Sequence, residues 1–385
     1  MISTVWPYLA VMFIVAGVWP AIERRHGGKV FDILPPIVLT YLSVTALSVA
    51  GVWSASAEIR AAQSAIVTQL VPALIFLLMI GCDVRAIIRL GPRVLGVFAC
   101  TSISLFIAFI LAFLLYRHWL PGDGWKPLAA LSGSWVGGTA NLIAVKQAIG
   151  MSDTSLATAL LTDALCYSMW VVVLFSVARL APVFNRWTRA TSSADLADLA
   201  IADSAPRPPA TTEGVLLWLG IALLAATLAS AAGARLPVGG MVSGTTWTIL
   251  LATLAGLVLA QTPLARLPGA QAVSSAMLVC VVAVLASQGS FAGIAAAPVY
   301  LLCGVTVIAL HAVLLVMAAR LFRFDLYLCG IASLAHIGGV AATPVLAATY
   351  ARSLVPVGIL LALLGYILGT GFGLVVAAVL SRLAA

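Results

Sequence analysis

A chain of 385 residues that is 63% hydrophobic and only 8% charged, with a mean hydropathy of +1.15, cannot be a water-soluble domain, where about a quarter of residues are charged. The net charge of +8 does not point to nucleic acid, because the 20 basic residues sit in short segments between apolar runs, where they act as orientation signals. Six cysteines (Cys82, Cys100, Cys166, Cys280, Cys303, Cys329) lie in or at the ends of apolar runs without CxxC spacing, so they read as small packing residues rather than a disulfide framework or a metal centre.

In chain order, Ile2 to Pro20 is an apolar run with no basic residue ahead of it and no small-residue cleavage site behind it, and is expected to be retained as the first span. Phe31 to Trp53 forms a second span, bent or broken at Pro35-Pro36. Leu70 to Ile80 is the body of a third and leads into CDVRAIIRLGPR, with Arg85, Arg89 and Arg93 on an emerging helical end. Val94 to Tyr116 is a fourth span. A glycine-broken segment, LSGSWVGGTANLIAVKQAIG, occupies 131–150, and another span runs from Asp153 to Ala178. Residues 179–213 are polar and rich in Ala, Ser and Pro, a composition that cannot bury enough apolar surface to fold alone. The second half repeats the plan, with spans near Val215–Ala232, Met241–Leu259, Ala272–Ala286 and Val299–Phe322, a broken segment SLAHIGGVAATPVLAA at 333–348, and a last span from Leu354 to Leu380.

The two broken segments superpose with an offset of 201 residues, which aligns Gly137 with Gly338, Gly138 with Gly339, Ser132 with Ser333 and Ser152 with Ser353. Pro92 precedes the first Gly-Gly by 45 residues and Pro298 precedes the second by 40, each pair separated by one apolar span. The expected organisation is therefore all-α and polytopic: a first transmembrane repeat over 1–178, a polar cytoplasmic linker over 179–213, and a second repeat over 214–385. Basic residues choose between two topologies. Broken segments that enter and leave on one side place 14 basic residues inside and 6 outside, whereas crossing segments give 9 inside and 11 outside. The bias favours two inverted repeats of about five spans each, plus one re-entrant segment per repeat.

Paired interruptions at corresponding places are the sequence pointer to a substrate site, because irregular backbone at membrane depth is tolerated only where it is buried in protein or lines a wet cavity. Gly137, Gly138, Gly338 and Gly339 permit such backbone, and a half-helix starting at each tip would present amides that favour an anionic group. Ser134, Thr139, Asn141, His336 and Thr343 are the neighbouring groups able to bind substrate, with Thr343-Pro344 expected to break the second segment again. Asp163 is the one acidic residue placed well inside a span, about 15 Å beyond Asp153 by helical rise. It is the expected ion-coupling carboxylate, assisted by Asn141 and Thr139. A structural pairing with Lys146 is the competing reading for Asp163. His311, alone in mid-span, reads as an internally bonded histidine.

GSWVGGTAN with its downstream Asp163, IGGVAATPVLAATY followed by GILLALLGYILGTGFG, and the early CDVRAIIRLGPR together resemble the YjcL-like bacterial membrane proteins, a family classed as a domain of unknown function. The resemblance covers nearly the whole chain. Members commonly read close to NIGGPATA in the second motif, where this chain has His336 to Ala342, so a role for His336 is particular to this protein. The family name implies no substrate. More distantly, two inverted halves with glycine-rich tips are similar to the glutamate/sodium symporters, which implies alternating access by a core moving against a scaffold.

The resulting expectation is a secondary active transporter of elevator type in the bacterial inner membrane. It moves a small organic anion, amino acid or short peptide with Na⁺ or H⁺ as coupling ion. Na⁺ comes first because Asn141, Thr139, Thr343 and Asp163 offer the oxygens a hard cation prefers. The last four elements of each half would form the core, and the first two a scaffold and a homodimer contact. No catalytic residue, cofactor or bound metal is expected. A passive channel would need a continuous polar lining. An intramembrane enzyme would need a second carboxylate, an HExxH motif or a supported Ser–His pair.

Overall fold

The computed structural model describes residues 1–27, 31, 36–190, 209–238, 243–288, 297–351 and 354–384. In chain order the helices are α1 (Val5–His26), α2 (Pro36–Val49), α3 (Ala57–Ile80), α4 (Val84–Arg89), α5 (Gly91–Tyr116), α6 (Trp125–Gly137), α7 (Thr139–Ala148), α8 (Asp153–Val177) and α9 (Ala181–Thr188). They continue as α10 (Thr212–Gly233), α11 (Gly244–Ala260), α12 (Ala270–Ala286), α13 (Ala297–Phe322), α14 (Leu326–Ile337), α15 (Gly339–Tyr350) and α16 (Val355–Ala384). Among the described residues there is no strand, only an isolated bridge between Ile2 and Trp53. The six cysteines are free thiols.

The helix starts follow from local chemistry. Asp83 accepts from the Arg85 and Ala86 amides at the head of α4, Thr211 from Gly214 at α10, and Asp325 from Leu328 at α14, each satisfying donors that a helix cannot pair internally. Ser243 and Thr246 form a reciprocal capping box at α11. Pro92 sits in the first turn of α5, where its missing N–H costs nothing.

Seven stretches among the described residues are long and apolar enough to cross a membrane: α1, α3, α5, the run from α8 through α9, α10, α13 and α16. At 1.5 Å per residue, about 20 residues span the hydrocarbon core. The chain is thus a multi-pass membrane protein. Helices α2, α11, α12 and α14 are apolar but shorter.

Three expectations change. The span set at Phe31–Trp53 contains a helix of only 14 residues, Pro36–Val49, with 32–35 outside the described residues. The segment read as linker opens with a 3₁₀ turn at Ala178–Leu180 and the helix α9, while 191–208 fall outside the described residues, as does Ser353. Pro344 does not break the second segment again but lies inside α15, where the Thr343 hydroxyl donates to the Gly339 carbonyl 2.6 Å away.

Two compact units are present, and each draws on both sequence halves. The first comprises Met1–Ile80, Lys146–Leu165 and Pro208–Tyr300. Its centre is α3, whose last turns, from Val71 to Leu77, are buried on every face against α10, α11 and α12. Gly256 on α11 permits the approach, since a Cβ there would lie 2.5 Å from the Phe76 carbonyl oxygen. The last carbonyls of α12 are taken by side chains: Thr45 binds Ala286 O, Ser48 binds Ser287 O, and Tyr8 and Gln63 meet the Ser287 hydroxyl at 2.6 and 2.9 Å. Lys146, buried, pairs with Asp153 at 2.6 Å, and the Asp153 carbonyl accepts from Tyr41.

The second unit comprises Gly81–Val145, Cys166–Arg207 and Leu301–Ala385. Its organising contact is α16 against α6, with α5, α14 and α15 also packed on α16. Gly133 and Gly137 on α6 meet Gly365, Gly369 and Gly373 on α16 with backbone nearly touching backbone. A Cβ on Gly369 would lie 2.6 Å from the Gly137 Cα, and one on Gly365 2.2 Å from the Val136 carbonyl oxygen. Small residues four apart are how helices in lipid, without a hydrophobic drive to associate, gain packing.

Candidate functional site

Both glycine breaks lie in the second unit, and each broken segment is a helix, a break and a second helix, the first of them running on into the first unit from Lys146. The first break falls at Gly138, with φ 79° and ψ 173°, and the second at Gly339, with φ 61°. An L side chain rarely adopts either conformation, which is why glycine stands at both. The helices ending there are capped by their own next amides, Gly138 N–H on Ser134 O and Gly338 N–H on Leu334 O. Helices α7 and α15 then begin at the breaks.

The residue that joins the two breaks is Tyr366, half-buried on α16. A Cβ on Gly138 would lie 3.2 Å from Tyr366 Cε1, and one on Gly339 3.6 Å from the same atom. Both breaks therefore meet one edge of one ring. The Tyr366 hydroxyl also lies at the start of α15, 3.8 Å from where a Cβ on Gly339 would sit. The N-terminal ends of two half-helices, each carrying partial positive charge, converge on this phenol.

Asn141 fixes the geometry behind the first break. Its Nδ2 donates to Gly137 O at 2.5 Å and to Tyr366 O at 3.4 Å, and its Oδ1 accepts from the Thr370 hydroxyl. The side chain is 1% exposed. Ser134 is likewise buried, whereas Thr139 is half-exposed at the first position of α7. Thr343 is buried and turned to its own helix.

His336 is placed away from the tip by its hydrogen bonds. Its Nδ1 donates to Ala332 O at 2.8 Å, its Nε2 meets the Ser102 hydroxyl at 2.8 Å, and its ring lies 4.1 Å from that of Phe98. His311 is also bonded at both nitrogens. Trp170 Nε1–H reaches Ser333 Oγ at 2.9 Å, Ser333 reaches His311 Nε2 at 2.8 Å, His311 Nδ1 reaches Ser104 at 2.7 Å, and Ser104 donates to Thr101 O. Read in one direction, every donor in that chain finds an acceptor with His311 neutral.

The structure thus brings Gly137, Gly138, Asn141 and Gly339 together around Tyr366, with Thr139 at the adjoining first position of α7. It engages His336 elsewhere in the same unit. Asp163 belongs to the first unit, half-buried on α8, and Lys146 pairs with Asp153. Beside Asp163, the buried Thr162 hydroxyl makes no hydrogen bond among the described residues. Tyr366 and Thr370 were missed from the sequence. Their signal is the four-residue glycine spacing of GYILGTGFG, which marks the side of α16 packed against α6; Tyr366 and Thr370 are the next residues after two of those glycines.

An all-helical chain with these spans, and with glycine-broken helices in its core, is a polytopic membrane protein. A family model described as a protein of unknown function, DUF819, matches residues 10–383, and the chain belongs to that family. No curated protein matches it.

Proposed function

We propose that the protein is a secondary active transporter that binds a small organic anion, amino acid or short peptide where the two broken helices converge on Tyr366. The observation that carries this reading is that both breaks, 201 residues apart in sequence, lie against one edge of the same ring. Two helix N-termini aimed at one place favour a carboxylate. The helix order supports a repeat, since α1–α3 and α5–α8 are answered by α10–α12 and α13–α16, and α5 and α13 both carry proline at their second residue. We read the repeats as inverted, with re-entrant broken segments, distantly like the glutamate/sodium symporters. The unit bearing the breaks is then the substrate-carrying body of an elevator.

Na⁺ is the preferred coupling ion, with Asp163 as its carboxylate ligand and the adjacent unbonded Thr162 hydroxyl as a further oxygen. H⁺ is the alternative. The reading places the protein in the bacterial inner membrane and assigns it no catalytic residue.

The test is thermal stability of the purified protein across amino acids, dicarboxylates and short peptides, in Na⁺ and in K⁺. A ligand that binds the folded state must raise apparent stability. Stabilisation by a carboxylate-bearing ligand that is lost in Gly138→Val supports the site, and a panel with no stabilising member counts against it.

A further inference from the structure

The helix α9 was read as part of a polar linker, yet its faces are sharply divided. Ala181, Asn185 and Thr188, at i, i+4 and i+7, face protein. Asn185 Oδ1 accepts from the Leu326 amide at 2.9 Å, so α9 caps the first turn of α14, the helix that leads into the second glycine break. A second face is apolar and exposed: Val183 is 70% and Trp187 49% exposed, with Leu180 of the preceding 3₁₀ turn at 53%. Arg179 and Arg186 flank that face, and Arg189 follows the helix. Arg320, at the end of α13, lies 5.6 Å over the Trp187 ring, and Arg323 follows it. All five arginines are exposed, and none pairs with a carboxylate among the described residues.

An exposed Leu-Val-Trp face beside a row of unpaired arginines is the composition of a helix lying in a membrane interface. It also directly continues a span, since α8 ends at Val177. The charge complement of this surface is an anionic headgroup. We propose that Leu180, Val183 and Trp187 enter the interface of the bilayer, and that Arg179, Arg186, Arg189, Arg320 and Arg323 bind anionic phospholipid there. Through Asn185, the bound lipid surface then steadies the start of α14. A basic residue near an anionic surface strengthens attachment by about fivefold. Removing the three in and beside α9 therefore takes away most of the preference for anionic lipid. The inference stands independently of the transport reading.

The experiment is hydrogen–deuterium exchange of the whole protein in nanodiscs of phosphatidylcholine alone and of phosphatidylcholine with phosphatidylglycerol. Amides of 181–188 and of 326–330 are expected to exchange at least about fivefold more slowly in the anionic discs. The triple variant Arg179→Gln, Arg186→Gln, Arg189→Gln, exposed at all three positions, should lose most of the difference between the two discs and keep only what Arg320 and Arg323 supply. Asn185→Ala should keep the lipid effect on α9 and lose it at 326–330. Equal exchange of the wild type in the two discs overturns the proposal. So does a triple variant as lipid-sensitive as wild type, or inorganic phosphate added to phosphatidylcholine discs reproducing the protection.

Discussion

Gly365→Ala tests whether the glycine seam between α6 and α16 holds the two breaks in place. The added methyl would sit 2.2 Å from the Val136 carbonyl oxygen, so it presses on α6, while the Ala335 carbonyl oxygen at 3.4 Å stays in ordinary contact. A comfortable carbon–oxygen approach is about 3.3 Å, so α6 must withdraw from α16 by about 1 Å. No rotamer can relieve a clash with backbone. Overpacking typically costs about 1–3 kcal/mol, and here the withdrawal also loosens the contacts of Gly369 and Gly373. We place the loss near the upper end, about 3 kcal/mol, which corresponds to a fall in Tm of about 6–12 °C for a unit of this size. The control is Gly371→Ala on the same helix, where an added Cβ meets nothing within 4 Å. Alanine there should leave Tm unchanged or raise it slightly, since it favours helix over glycine by up to about 1 kcal/mol. Thermal unfolding of both variants in the same detergent is the assay. If Gly365→Ala melts within about 2 °C of wild type, or if Gly371→Ala falls as far, the seam is not close-packed and the placement of the breaks loses its support.

Asn141 donates to two carbonyls, so Asn141→Asp sets carboxylate oxygen against Gly137 O and Tyr366 O and should cost more stability than Asn141→Ala, itself about 1–3 kcal/mol; equal melting would contradict this. Asp153→Asn leaves the buried Lys146 ammonium without its counter-charge and should destabilise by about 2–4 kcal/mol. Lys146→Met added to it should recover part of the loss, read by denaturant or thermal unfolding of the single and double variants. His311→Phe removes the acceptor of Ser333 and the partner of Ser104 and should cost about 2 kcal/mol, whereas Trp170→Phe, which removes one donor from Ser333, should cost about 1 kcal/mol.

Helix α8, expected over 153–178 and found at Asp153–Val177, was legible because an acid opens it and an uninterrupted apolar run fills it. A single Gly-Gly in such a run reads as close helix packing; the breaks were legible because two pairs stand in register 201 residues apart. Tyr366 was not, since a tyrosine in an apolar span looks like packing until a second helix is brought against it. His336 showed the opposite error. Its position two residues before Gly338 placed it at the tip, but its Nδ1 turns back to the carbonyl of Ala332 one turn earlier on its own helix, and Ser102 takes the other nitrogen. Asn141 was expected to offer oxygen to an ion, and its oxygen is occupied by Thr370. The eight residues of α9 carry no signal of their own in the sequence, because the Ala, Ser and Pro that follow them dominate the composition of 179–213.

The central claim is coupled transport, and it is tested most directly by uptake into proteoliposomes of the ligand that stabilises the protein. The account predicts saturable accumulation above the external concentration when a Na⁺ gradient is imposed, and none in Asp163→Asn. Equilibration without accumulation, or accumulation that Asp163→Asn leaves intact under the same gradient, would contradict it.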